Sequence, residues 1–180
     1  MLDVATTRIL LAPEHTDASN LHGPWIWPLP RLDGVAPCVL ASIDELQRDS
    51  VDIGYAGHPS SSACVPVLAA QDGIITYAGT AAGSPTVCLD HAGGWSTQYA
   101  DLERVLTLPT DRFRHRRKSR VRAGDVLGHA RRSSPRISFG LAQLAESGWR
   151  VVVPTELMYT WSVLPGFGAP TPRTALRRAA

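Results

Sequence analysis

Six histidines are where metal or acid–base chemistry would begin in this sequence: His15, His22, His58, His91, His115 and His129. No two of them stand at a spacing that metal ligands use, so ordinary turn or surface roles are expected for each. Three cysteines, Cys38, Cys64 and Cys88, are widely separated and form no C-x-x-C. That spacing writes neither a disulfide framework nor a zinc knuckle; three buried free thiols are expected, with a single disulfide left open. The sole lysine, Lys118, lies inside a basic run, RFRHRRKSRVR at 112–122, with six arginines. Seven of the 18 basic residues sit there, so the rest of the chain holds 11 against 16 acidic ones and is net −5. Arg114, Arg116 and Arg117 at the centre of the run are candidate binding residues. They suit an anionic wall polymer or a partner's acidic face, although most runs of this kind are solvated loops. Nucleic acid is not expected, because only Phe113 offers a stacking ring.

The elements that must carry these residues fit one domain. The 180 residues are 44% hydrophobic and 19% charged, enough for a sizeable core and unlike a disordered chain. Apolar stretches are broken well short of the roughly 20 residues a membrane-spanning helix needs. Near the N-terminus the apolar run 9–12 is too short for a secretory leader, so cytoplasmic synthesis is expected, with incorporation into a particle or a non-classical export route. Residues 1–24 read as an irregular lead-in. WIWPLP at 25–30 reads as an extended, aromatic-anchored opening strand, since Pro28 and Pro30 forbid a helix interior. A short helix is expected at 41–48. From Cys64 onward come brief β-rich runs, VPVLAA, GIITYAG, PTVCLD, WSTQYA, SRVRA, DVLGHA, RISFGLAQ and RVVVP, each bounded by Gly, Pro, Asp or Ser. Helical periodicity is absent, which gives an all-β fold: a small antiparallel sheet or barrel. The tail from Pro165 is expected to be poorly ordered.

Two segments share a plan. PVLAAQDGIITYAG turns at Asp72-Gly73, and VRAGDVLGHA turns at Gly124-Asp125, which predicts a barrel of two similar hairpins. Biotin and lipoyl carriers use such barrels but acylate a lysine at a tight hairpin, and Lys118 is not so placed.

In order along the chain, WPLP at 27–30, SVDIG at 50–54, PVLAAQDGIITYAG at 66–79, TVCLDHAGGWSTQYADL at 86–102, VRAGDVLGHA at 121–130 and PRISFG at 135–140 resemble the LytM or lysostaphin-type peptidoglycan endopeptidases. The resemblance covers residues 25–155, with 1–24 and 156–180 as N- and C-terminal extensions. It implies a duplicated hybrid motif fold and a β-sheet groove in which zinc activates water against a peptide crosslink. In that family the ligands and catalytic groups come from H-x-x-x-D, Y-x-H-L and H-x-H. Those motifs fall here on Arg48 to Asp52, on Tyr99-Ala100-Asp101-Leu102, and on Arg136-Ile137-Ser138. Only Asp52 is retained. An arginine does not give up its proton, and a serine is a poor zinc ligand.

The resemblance therefore implies a degenerate member with no catalytic residues and no cofactor, the former catalytic positions being Asp101 and Arg136. If the fold is kept, Arg48, Asp52, Asp101 and Arg136 converge on the old site, where a guanidinium would take the metal's place beside Asp52. Separate solvation of each side chain is the alternative. The expected binding surface is the emptied groove with Ser138, edged by Trp95 and Tyr99, flanked by GHPSSSA at 57–63 and by the basic run. Expected partners are a protein in a cell-wall-associated or phage-tail-like assembly, peptidoglycan, or an anionic wall polymer. The rival reading is an active zinc-dependent endopeptidase with relocated ligands.

Overall fold

The structure is a computed structural model that describes residues 25–41, 49–57, 64–106, 119–152, 154–158 and 160–166. Its strands are β1 (Cys38–Ala41), β2 (Val51–Gly54), β3 (Pro66–Leu68), β4 (Gly73–Ala81), β5 (Ser84–His91), β6 (Trp95–Ala100), β7 (Leu102–Val105), β8 (Arg120–Val121), β9 (Val126–Ala130), β10 (Ile137–Ala145) and β11 (Gly148–Val152). A short helix, α1 (Pro154–Met158), follows. The larger sheet runs β1-β2-β10-β6-β5-β4-β8, with β11 also on β10, and the smaller runs β3-β9-β7; every strand pair is antiparallel. The protein is thus the all-β, antiparallel molecule its turn-bounded runs predict. Among the described residues no helix is long and apolar enough to cross a membrane.

Alternation explains how one face of the larger sheet becomes core. In β6, WSTQYA, the residues Trp95, Thr97 and Tyr99 are buried while Ser96, Gln98 and Ala100 are only partly so. Their core-facing neighbours are Ile137, Phe139 and Leu141 of β10 and Val51 and Ile53 of β2. Residues 25–31 are threaded across this core rather than paired as a strand. Ile26 N–H donates to Ala70, Trp27 N–H to Ser162 and Arg31 N–H to Leu164, while the Pro28 carbonyl accepts from Leu68. Prolines at 28 and 30 cost nothing there, because the neighbouring residues supply the donors. Trp25 stacks on Trp161 with centroids 4.9 Å apart, and Trp161 meets Phe139 edge-on at 5.9 Å.

Several expectations change. The two turn segments are not two hairpins, because each crosses from one sheet to the other: β3 is in the smaller sheet and β4 in the larger, β8 in the larger and β9 in the smaller. They pair with one another instead, β3 with β9 and β4 with β8. Their turns also meet, as Ala123 N–H donates to Asp72 Oδ1 at 2.8 Å and Gly124 N–H to the Ala69 carbonyl at 2.9 Å. Hydrophobic alternation marks strands but not which sheet receives them. The cysteines are free as expected, yet only half-buried, since each lies near a sheet edge or on the open face. Ahead of the tail expected from Pro165, Trp161 is buried and Ser162 N–H is bonded to the Trp25 carbonyl. Ala41 belongs to β1, while the rest of the expected helix, the lead-in 1–24 and residues 167–180 lie outside the described residues.

Candidate functional site

Strand register gathers the positions of the three motifs. On β10 Ser138 lies opposite Asp52 of β2 on one side and opposite Ala100 of β6 on the other. Asp101 directly follows Ala100, and Arg136 precedes β10 by one residue. By this register Asp52, Ser138 and Ala100 belong to the face opposite the core, together with Gly140 and Gln98. A Cβ built on Gly140 would stand 3.5 Å from the Gln98 Cβ and 3.9 Å from the Ser50 Cβ, so glycine keeps this floor low.

Asp52 is buried, 8% exposed, and its Oδ2 lies 3.5 Å from Nη1 of Arg136. The carboxylate is fixed by β2, whose four residues are all buried, whereas the guanidinium reaches in from an exposed loop. Beside them the hydroxyls of Ser138 and Ser50 are 2.7 Å apart, so each satisfies the other. Arg136 also walls a recess of about 230 Å³ with Leu40, Tyr55, Gly57, Ser134 and Pro135.

Asp101 is occupied differently. Its backbone is left-handed, φ 61°, a region aspartate tolerates better than most side chains. Ser84 holds it twice: the hydroxyl donates to Asp101 Oδ1 at 2.9 Å, and the Asp101 N–H donates to Ser84 Oγ at 2.9 Å. This carboxylate therefore ties the end of β6 to the start of β5.

Trp95 and Tyr99 do not edge a groove. Both point into the core, 6% and 0% exposed, because the register that turns Ala100 and Ser138 outward turns their neighbours inward. Tyr99 Oη accepts from the Ala70 N–H at 2.8 Å and lies 3.1 Å from Thr97 Oγ1. Burial pushes its phenol up to about 12, so it is a structural hydroxyl and not a base. His91 is also buried, with Nδ1 2.9 Å from the Asp72 carbonyl and Nε2 2.7 Å from Thr97 Oγ1. Burial holds its imidazole below the usual range, against the opposing pull of the Asp72 carbonyl and carboxylate. Sequence reasoning gave His91 only a turn role; its place between a glycine turn and a strand was the available signal. Arg48, Arg114, Arg116 and Arg117, and the loop 58–63, lie outside the described residues.

The donors around Asp52 are one carboxylate, one guanidinium and two mutually bonded hydroxyls. Zinc prefers three histidine, cysteine or carboxylate ligands, and a guanidinium beside the remaining carboxylate repels a cation. These residues do not fit the metal, and among the described residues no three of His, Cys, Asp and Glu form a ligand group elsewhere.

Comparison with known proteins agrees with this architecture. The model of Peptidase family M23 matches residues 51–147. No curated protein matches the chain. Among solved structures, the Ruminococcus gnavus LytM protein, assigned as a glycyl-glycine endopeptidase, is similar with a TM-score of 0.58 and 16% identity over 79% of this chain and 64% of that one. A chain of the SpoIIIAH and SpoIIQ complex gives 0.52 and 16% over 74% and 99%. The antimicrobial peptidase lysostaphin from Staphylococcus simulans gives 0.51 and 17% over 82% and 60%. The chain thus spans less than two thirds of the LytM and lysostaphin structures. At these identities the likeness is one of fold.

Proposed function

Because the chain belongs to peptidase family M23, we propose that it is a member of that family that binds rather than cuts, serving as a regulatory or structural module in a cell-wall-associated or phage-tail-like assembly. The observation that carries this reading is the pairing of Arg136 with Asp52 at 3.5 Å. In the LytM-type resemblance, Asp52 is the retained ligand position and Arg136 stands at a catalytic histidine. A guanidinium there neither activates water nor exchanges a proton near neutral pH. Ser138, at the third ligand position, is bonded to Ser50, and Asp101 is bonded to Ser84. The polar floor between β2 and β6 remains, with small side chains at 100, 138 and 140. Such a face, freed from chemistry, is suited to holding a peptide or a partner's loop. One structure that shares the fold is a complex of two proteins, the kind of use proposed here.

Metal content and wall hydrolysis test the proposal together. Purified protein should contain no stoichiometric zinc and should leave a suspension of purified cell walls turbid. Zinc at one per chain with clearing that chelators abolish would establish the active endopeptidase instead.

A further inference from the structure

Between β9 and β10 the loop RRSSPR, 131–136, carries three exposed arginines. Arg136 faces Asp52, but Arg131 and Arg132 face the other way, into an open cleft of about 490 Å³ bounded by Pro85, Leu102, Glu103, Arg131, Arg132 and Ser133. The loop is held in shape by its own backbone: Ser134 N–H donates to the Arg131 carbonyl at 3.3 Å and Arg136 N–H to the Ser134 carbonyl at 2.7 Å. Glu103 accepts from the Arg132 N–H at 2.9 Å and lies 3.8 Å from Arg132 Nε, which also donates to Cys64 Sγ at 3.1 Å. Arg132 is therefore partly neutralised and fixed. The Arg131 guanidinium has neither hydrogen bond nor ion pair among the described residues.

Positive charge dominates the surroundings as well. Arg104 of β7 stands opposite His129 of β9, so this end of the smaller sheet carries Arg104, Arg131 and Arg132 against Glu103. His129 registers the field: its imidazole is held below the usual range first by burial and then by Arg104 and Arg132, with Glu103 opposing. A free guanidinium beside a fixed one is a receptor for a planar anion.

We propose that this cleft docks an acidic peptide segment of a protein partner, with Arg131 taking one of its carboxylates. Two features favour a peptide over a phosphate polymer. Pro85, half-buried, gives the cleft an apolar edge, which the aliphatic part of a peptide covers and a polyphosphate does not. Glu103 stands inside the patch, where it repels a densely charged polymer but leaves room for a single carboxylate at Arg131. The inference rests on the binding-module reading for the existence of a partner, and its test is independent of zinc and hydrolysis.

The test is a titration of the full ¹⁵N-labelled chain with a synthetic peptide of alternating glutamate and leucine, followed by amide shifts and by anisotropy of the fluorescent peptide. Shifts should concentrate at Leu102 to Val105 and Arg131 to Ser133. Arg131→Glu should weaken binding about tenfold or more, as loss of a charge-assisted contact does, whereas Arg150→Glu, the same charge change on β11, should alter it less than about twofold. Equal losses from both variants would reduce the effect to net charge. Shifts confined to 112–122, tighter binding of inorganic polyphosphate than of the peptide, or no binding of the peptide would each overturn the proposal.

Discussion

Arg136 and Asp52 form an asymmetric pair: 3.5 Å separates them, yet the aspartate side chain is 12% accessible and the arginine side chain 57%. Most of the stabilisation therefore belongs to the carboxylate, which loses its partner if the guanidinium is removed, while water can still reach part of the site. Arg136→Ala should cost about 0.5 to 1 kcal/mol in urea unfolding, and the same change in an Asp52→Asn background should cost close to nothing. An unchanged midpoint for Arg136→Ala in the parent chain would show that the two residues are merely neighbours.

Tyr99 gives a larger effect without touching the site. Its hydroxyl is the acceptor for the N–H of Ala70, itself fully buried. Tyr99→Phe keeps the ring against Phe139 and strands that N–H, at a cost of about 1 to 3 kcal/mol. Peptide binding at the Arg131 cleft should be unaffected at temperatures where the variant is folded. An unchanged urea midpoint for Tyr99→Phe would show that the Ala70 N–H does not depend on the phenol.

His91 makes stability depend on pH. Because burial lowers its folded pKa below the unfolded value of 6.5, the unfolded chain takes up the proton first. Stability is then fully present above the unfolded pKa and declines as pH falls through it, by at most about 1.4 kcal/mol per pH unit for one proton. Urea midpoints between pH 8 and pH 5 should show this slope, and His91→Phe should reduce it to the smaller part that His129, more exposed but also held low, contributes. An undiminished slope in that variant would assign the proton to another residue.

The strands were legible because their alternation and their bounding Gly, Pro and Asp residues are local signals, and WSTQYA became β6 residue for residue. The order of six segments pointed to Asp52, Asp101, Arg136 and Ser138; the strands bring Arg136 to 3.5 Å from Asp52, whereas Asp101 is bonded to Ser84. What local signals lack is pairing: the two glycine turns looked like hairpins and proved to be crossings between sheets. Trp95 and Tyr99 were expected to edge the groove, but one step of strand register decides the face, and it sends both to the core. Arg131 and Arg132 carried no motif, and only the fold brings them to Leu102 and Pro85.

Gly128 connects that fold to the cleft. It sits on β9 between Val67 of β3 and Val105 of β7, and a Cβ there would run into the backbone carbonyl of Arg104 and come within 3.1 Å of Leu102 Cδ1. A carbonyl held in a strand pair cannot swing aside as a flexible side chain does, so β7 must move. Gly128→Ala should cost about 1 to 3 kcal/mol, as overpacking usually does, and should also weaken peptide binding, since Leu102 and Glu103 precede the displaced carbonyl. Gly140→Ala is the control: its nearest contacts are 3.3 Å or more, so it should be milder and leave the cleft intact. If both glycine variants unfold at the parent midpoint, the close approach of β7 to β9 is not tight, and the cleft is less rigidly built than its hydrogen bonds indicate.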